Sequence, residues 1–197
     1  MKQILAIWVV WMATLGVSAQ QTYDDLIHKA MDAVEMDSLQ QAEQLFTEAL
    51  KLEPANMRNA LVFSNLGTIQ RRMGKKKEAL ESYSLALNRT PYSVTMLLNR
   101  ASLLLEMDYL DKAFVDYCDV LDIDRENKEA LMYRAYIHMK RRMYHNARLD
   151  YRAFLELELG NKTARIGMAM VNQKDKRFQE SLEEFNRLIV DYPRDVS

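Results

Sequence analysis

The sequence predicts an all-α protein, an α-solenoid of stacked antiparallel helix pairs. Three observations carry this. Gly and Pro are scarce, 5 and 3 in 197 residues, too few for the turns of a many-stranded β fold or for a disordered chain. Hydrophobic residues make up 49%, enough to bury a sizeable core. The chain also repeats itself. Small residues at Ala42, Ala79, Ala113, Ala147 and Ser181 are spaced 37, 34, 34 and 34 apart.

Three further columns keep that period. An aromatic follows each small residue by four: Phe46, Tyr83, Tyr117, Tyr151, Phe185. An aliphatic follows four later: Leu50, Leu87, Leu121, Leu155, Ile189. Another small residue precedes by twelve: Ala30, Gly67, Ala101, Ala135, Ala169. Spacings of i, i+4 and i+8 make one stripe on a helix. The upstream small residue belongs to a preceding helix, and small side chains let two helices cross closely. Pro54, Pro91 and Pro193 fall twelve residues after a small residue, where proline stops the second helix.

Residues 1–19 are read as a secretory signal peptide. Lys2 is a minimal positive start. Ile4 to Val17 is apolar except at Thr14 and Gly16, and Val17-Ser18-Ala19 supplies small residues before a cut at Ala19–Gln20. As a helix this run spans about 21 Å, short of the roughly 30 Å hydrocarbon core, so an uncleaved anchor is the weaker reading. No Cys follows to carry a lipoprotein anchor. The remaining domain, 20–197, is expected to have no stable membrane anchor.

The domain divides into copies at 23–56, 60–93, 94–127, 128–161 and 162–195. The first opens on Thr22-Tyr23-Asp24-Asp25, an acidic variant of a capping box. Met57-Arg58-Asn59 is extra before the second copy, and is expected to lengthen its first helix by nearly a turn, with Asn56 as N-cap. The fourth copy has Leu159-Gly160 in place of a terminal proline, which predicts a left-handed cap at Gly160. The fifth places Arg165 where a large apolar residue is expected. Its Leu182, Phe185 and Ile189 lack a neighbour on one side, an end face suited to homodimer pairing, to imperfect cover, or to a continuing chain.

The pattern resembles the tetratricopeptide repeat. Residues 60–93 carry Phe63, Leu66-Gly67, Ala79, Tyr83, Ala86 and Pro91 in that family's spacing. The resemblance implies a right-handed solenoid whose first helices line a concave surface. Transferred by position, the partner-binding groove is Asn65, Thr68, Arg72, Asn99, Met132, Tyr133, Tyr136, Lys140 and Met170. Family members can use an Asn at the column of Asn65 and Asn99 to bond a peptide backbone. Tyr133 and Tyr136 would act as anchors, and Met132 and Met170 as adaptable contacts. The carboxylate clamp of chaperone-binding members is not reproduced: Ile27 and Met31, or Ser64 and Thr68, stand where Lys and Asn would be.

Composition narrows the function classes. Lys plus Arg is 27 against 28 Asp plus Glu, a net charge of −1, with no bulk case for nucleic acid. One Cys excludes an intramolecular disulfide and a cysteine-based zinc site. His28, His138 and His145 are never three or four apart, and no Gly-rich phosphate loop occurs. His138 is expected to be a hydrogen-bonded core residue, and Cys118 to lie on an outer face. Basic clusters near first-helix ends, around Arg71-Arg72, Lys140-Arg141-Arg142 and Lys174 to Arg177, read first as helix-dipole partners and then as a rim for an acidic segment. The expectation is an exported, Gram-negative periplasmic, non-catalytic scaffold without cofactor, holding a peptide or protein partner. The alternative is a structural subunit of a cell-envelope assembly.

Overall fold

The structure, a computed structural model, describes residues 22–193; the signal peptide expected at 1–19 lies outside them. Among the described residues the chain forms ten α-helices. They are α1 (Tyr23–Glu35), α2 (Leu39–Leu52), α3 (Asn59–Arg72), α4 (Lys76–Arg89), α5 (Val94–Glu106), α6 (Leu110–Ile123), α7 (Lys128–Lys140), α8 (Tyr144–Leu157), α9 (Lys162–Lys174) and α10 (Phe178–Asp191). Each helix packs on the one before and the one after it. This is the all-α solenoid of helix pairs that the periodicity predicts.

The turn inside every pair closes in one way. Ser38, Lys75, Tyr109, Met143 and Arg177 each donate their backbone N–H, at 2.8 Å, to a carbonyl five residues back. That bond needs a left-handed residue just before the donor. Asp37, Gly74, Asp108, Arg142 and Lys176 fill the place, with φ between 56° and 77°. Only one of the five is glycine.

The exits between pairs are extended. Glu53, Thr90, Asp124, Glu158 and Tyr192 have φ of −130°, −135°, −132°, −150° and −131°. Proline follows three of them and is absent from two, so it reinforces this geometry and is not required for it. The expectation at Gly160 is therefore corrected. Gly160 is not left-handed, because Glu158 has already turned the chain out of α8.

The extra residues of the second copy also behave differently from expectation. They form a turn, and α3 is 14 residues long against 13 for α1, a gain of one residue. Asn56 caps this turn, its Oδ1 accepting from the Arg58 N–H at 2.8 Å. Asn59 is fully buried. It accepts from the Tyr23 hydroxyl at 2.9 Å and donates to the Glu53 carbonyl at 2.7 Å, while Arg58 pairs with Asp24. The insertion clamps the first pair to the second.

Side-chain caps start α1, α7 and α9. Thr22 and Asp25 form a reciprocal capping box, with both bonds at 3.1 Å. Asn127 and Asn161 accept from Ala130 and Ala164. The small columns are buried throughout, and so are Phe46, Tyr83, Tyr117 and Tyr151. At Gly67 even a methyl would sit 2.9 Å from the Tyr83 ring, which is why this crossing takes glycine. Burial then fades at the last pair. Phe185 is half-buried, while Leu182 and Ile189 are 56% and 50% exposed because no helix follows α10 among the described residues.

Buried ion pairs tie the two helices of a pair together. Arg100 grips Asp116 through two bonds, at 2.8 and 2.7 Å, and Arg134 grips Asp150 at 3.0 and 2.7 Å. In the last pair the arginine moves one turn earlier, to Arg165, and reaches the longer Glu184 and also Asp191. An ion pair thus replaces the apolar contact expected at 165.

Candidate functional site: the surface of the odd helices

Contacts between pairs beyond sequence neighbours join odd helices, α3 to α5 and α7 to α9. Elements crowd on the inner side of a curved array, so this side is taken as the concave one. The nine groove residues divide into two groups. Asn65, Thr68 and Arg72 on α3 are already engaged. Asn65 is half-buried and its amide lies 3.8 Å from the Met31 sulfur. Thr68 donates to the Ser64 carbonyl at 3.1 Å and lies 3.0 Å from the Tyr83 hydroxyl. Arg72 pairs with Asp37 at 2.7 Å.

The second group is open. Asn99 is half-buried, with no side-chain hydrogen bond among the described residues, so its amide keeps donor and acceptor free. Met132, Tyr133, Tyr136 and Lys140 lie on α7 and Met170 on α9, two helices in contact. Tyr133 is 38% exposed and stacks on Tyr117, centroids 5.6 Å apart and planes 18° apart. Tyr136 is half-buried, with the Lys140 ammonium 5.2 Å from its ring centroid. Tyr133 is therefore the more exposed of the two aromatics. Met170 is 39% exposed.

Beneath this surface runs a row of phenols. The Tyr83 hydroxyl is satisfied by Thr68, but that of Tyr117 is buried without a partner under the Tyr133 ring. Burial raises the pKa of Tyr117, and pushes that of Tyr151 up to about 12. Both stay neutral and able to donate. Gly167 occupies the column of Asn65, Asn99 and Tyr133. A methyl there would meet the Tyr151 ring at 2.5 Å, so glycine makes room for that ring.

Arg71 on α3 is absent from the residues that position transfer named. It pairs with Glu106 and donates to the Ser102 hydroxyl at 3.0 Å, bridging α3 to α5. The signal was readable, since Arg71 and Glu106 lie one repeat and one residue apart. The basic clusters at the ends of α3 and α7 share this use: Arg72 pairs with Asp37, and Arg141 with Asp111.

Other candidates are structural in their surroundings. His138 is buried, and Phe114 meets it edge-on at 5.1 Å. It is not the fully hydrogen-bonded residue expected: Nδ1 has no partner, and Nε2 lies 3.7 Å from Asp150. Burial holds its pKa below 6.5. Cys118 is half-buried rather than on an open outer face, with Arg134 3.9 Å from its sulfur. Among the described residues no group of three His, Cys, Asp or Glu is placed to hold a metal, and no helix is long and apolar enough to cross a membrane. The surface offers exposed apolar side chains and positive charge.

Comparison with known proteins agrees. The tetratricopeptide repeat family model matches residues 60–92. A solved tetratricopeptide repeat protein from Parabacteroides merdae is 39% identical with a TM-score of 0.84, covering 88% of this chain and 68% of that one. The solved structure of YrrB, described as a TPR protein with an unusual peptide-binding site, shares the fold at 16% identity and TM-score 0.77, covering 86% of each chain. The UDP-N-acetylglucosamine–peptide N-acetylglucosaminyltransferase of Giardia intestinalis is 34% identical over 86 residues, 43% of this chain. The human DnaJ homolog subfamily C member 7 is 28% identical over 103 residues, 51% of this chain. The chain spans only 6% and 21% of these two curated relatives. With its helix pairs, its 34-residue columns and the close similarity to the Parabacteroides protein, the chain belongs to the tetratricopeptide repeat family.

Proposed function

We propose that this protein is a non-catalytic scaffold that holds a peptide or protein segment on the surface of its odd helices. The observation that carries the reading is the open cluster on α7 and α9. Tyr133 and Met170 stand exposed beside Tyr136 and Lys140, and Asn99 keeps its amide unpaired. Exposed aromatics with adjacent polar groups are the usual anchors of interfaces. The leader-like residues 1–19 support export, and the compactness of that segment with a single cysteine in the chain supports a periplasmic location. The similarity of the YrrB fold, with its described peptide-binding site, is consistent with a peptide as partner.

A retention experiment tests this. The protein and an Asn65→Ala, Asn99→Ala, Tyr136→Ala variant are used to capture partners from the native extract, with mass spectrometry of what is held. The expected outcome is a partner retained by wild type and lost by the variant, with helicity unchanged. Equal retention would move the binding away from this surface. The second reading, an assembly subunit, draws on exposed Phe178, Leu182, Ile189 and Val190 of α10. It expects a dimer in light scattering.

A further inference from the structure

The charges at the ends of the odd helices follow a pattern that breaks at one place. Glu35 and Asp37 at the end of α1 are acidic, Arg71 and Arg72 of α3 are basic, Glu106 and Asp108 at the end of α5 are acidic, and Lys140 of α7 is basic. Over the first half of the array this alternation neutralises itself, because Arg72 holds Asp37 and Arg71 holds Glu106. After α7 the next in line should be acidic, but α9 ends in Lys174 and is followed by Lys176. Lys140, Arg142, Lys174 and Lys176 are exposed and make no ion pair among the described residues.

Most neighbouring acids are already paired; Asp108 is exposed and makes no ion pair among the described residues. Glu106 is occupied by Arg71 and lies 3.8 Å from Lys76, and Asp175 is occupied by Arg148 and Arg177. Arg141 already takes Asp111. On the groove-facing columns of α7 and α9 the only carboxylate is Glu129, in the first turn of α7 and remote from the lysines at its other end. Lys140 lies against Tyr136, and Lys174 stands one turn after the exposed Met170 on α9. Under the same aromatics, Tyr117 keeps an unpartnered buried hydroxyl.

We propose that the α7–α9 half of the groove selects an extended acidic segment bearing an aromatic or aliphatic side chain. Tyr133, Tyr136 and Met170 would take the apolar side chain. Lys140 and Lys174 would meet its carboxylates, while the α3–α5 half, closed by its own ion pairs, contributes shape and the Asn99 amide. Opposite charge at a groove rim speeds encounter and excludes basic competitors. This inference rests on the groove reading above and adds the partner's chemistry to it.

The test uses the purified protein and a displayed library of random short peptides. Retained sequences are expected to be enriched in Asp and Glu together with Phe, Tyr, Leu or Met. Lys140→Glu with Lys174→Glu should lower their affinity by about tenfold or more, invert the preference towards Lys and Arg, and remove most of the salt dependence. Inversion is a readout that mere loss of folding cannot mimic. If retained peptides are lost by Tyr136→Ala but show no acidic bias and no response to the double charge reversal, the groove stands and the acidic selection is overturned. If no peptide is retained, or Tyr136→Ala changes nothing, the groove reading itself falls and this inference falls with it.

Discussion

Burial decides what the polar residues of this chain can do. Folding leaves the His138 ring neutral, since desolvation lowers its pKa, nearby Asp150 raises it, and Arg134 and Arg141 lower it further. An unfolded chain takes up the proton at about 6.5. The stability linked to neutral His138 is thus complete above that pH and is lost as pH falls below it. His138→Phe keeps a ring against Phe114 without the titration. Thermal unfolding should show the wild type losing Tm between about pH 7 and pH 5 and the variant losing less. Equal losses would assign the acid sensitivity to other groups. At this scale the sequence shows which residues repeat, but not what satisfies them. The small and aromatic columns are legible because every copy needs them. Thr68 and Arg72 read as free groove residues, and only the fold brings Tyr83 and Asp37, far off in sequence, within reach of them.

Between elements, the same chemistry has different value according to depth. Asp116 is 3% exposed at its side chain and Arg100 24%, whereas Asp37 is 78% exposed and Arg72 44%. Removing one member of a buried pair strands a charge in low dielectric. Asp116→Asn should cost roughly 3 kcal/mol in denaturant unfolding. Asp37→Asn should cost less than about 1 kcal/mol, because water already screens that pair. Comparable costs would contradict the burial argument. The left-handed turn offers a change of opposite sign. Arg142 and Lys176 hold φ of 60° and 63° against the steric preference of a side chain. Arg142→Gly should raise stability by about 1 kcal/mol, visible as a higher Tm. This turn column was not legible in the sequence, since Asp, Gly, Asp, Arg and Lys share no property except place. The end of α8 misled for a related reason. Gly160 looked like a cap, but the backbone turns at Glu158, whose residue type gives no hint of it.

At the scale of the whole molecule, helix pairs stack by nearest-neighbour contact, and odd helices also touch one another at α3–α5 and α7–α9. Its two halves differ in charge bookkeeping. Around α3 and α5 opposite charges meet each other, and around α7 and α9 they do not. The stacking of the helix pairs was readable from the repeat columns. The division into a closed half and an open half was not, because it depends on which charges meet across adjacent pairs. The central claim is that a partner lies on the odd helices and chiefly on α7 and α9. Hydrogen–deuterium exchange of the protein, alone and with the partner retained from the extract, tests this most directly. The account expects slowed exchange along α5, α7 and α9, greatest around Tyr133 and Tyr136, with α6 and α8 little changed. Protection confined to α10 and its exposed Leu182 and Val190 would contradict it and favour assembly through the end face.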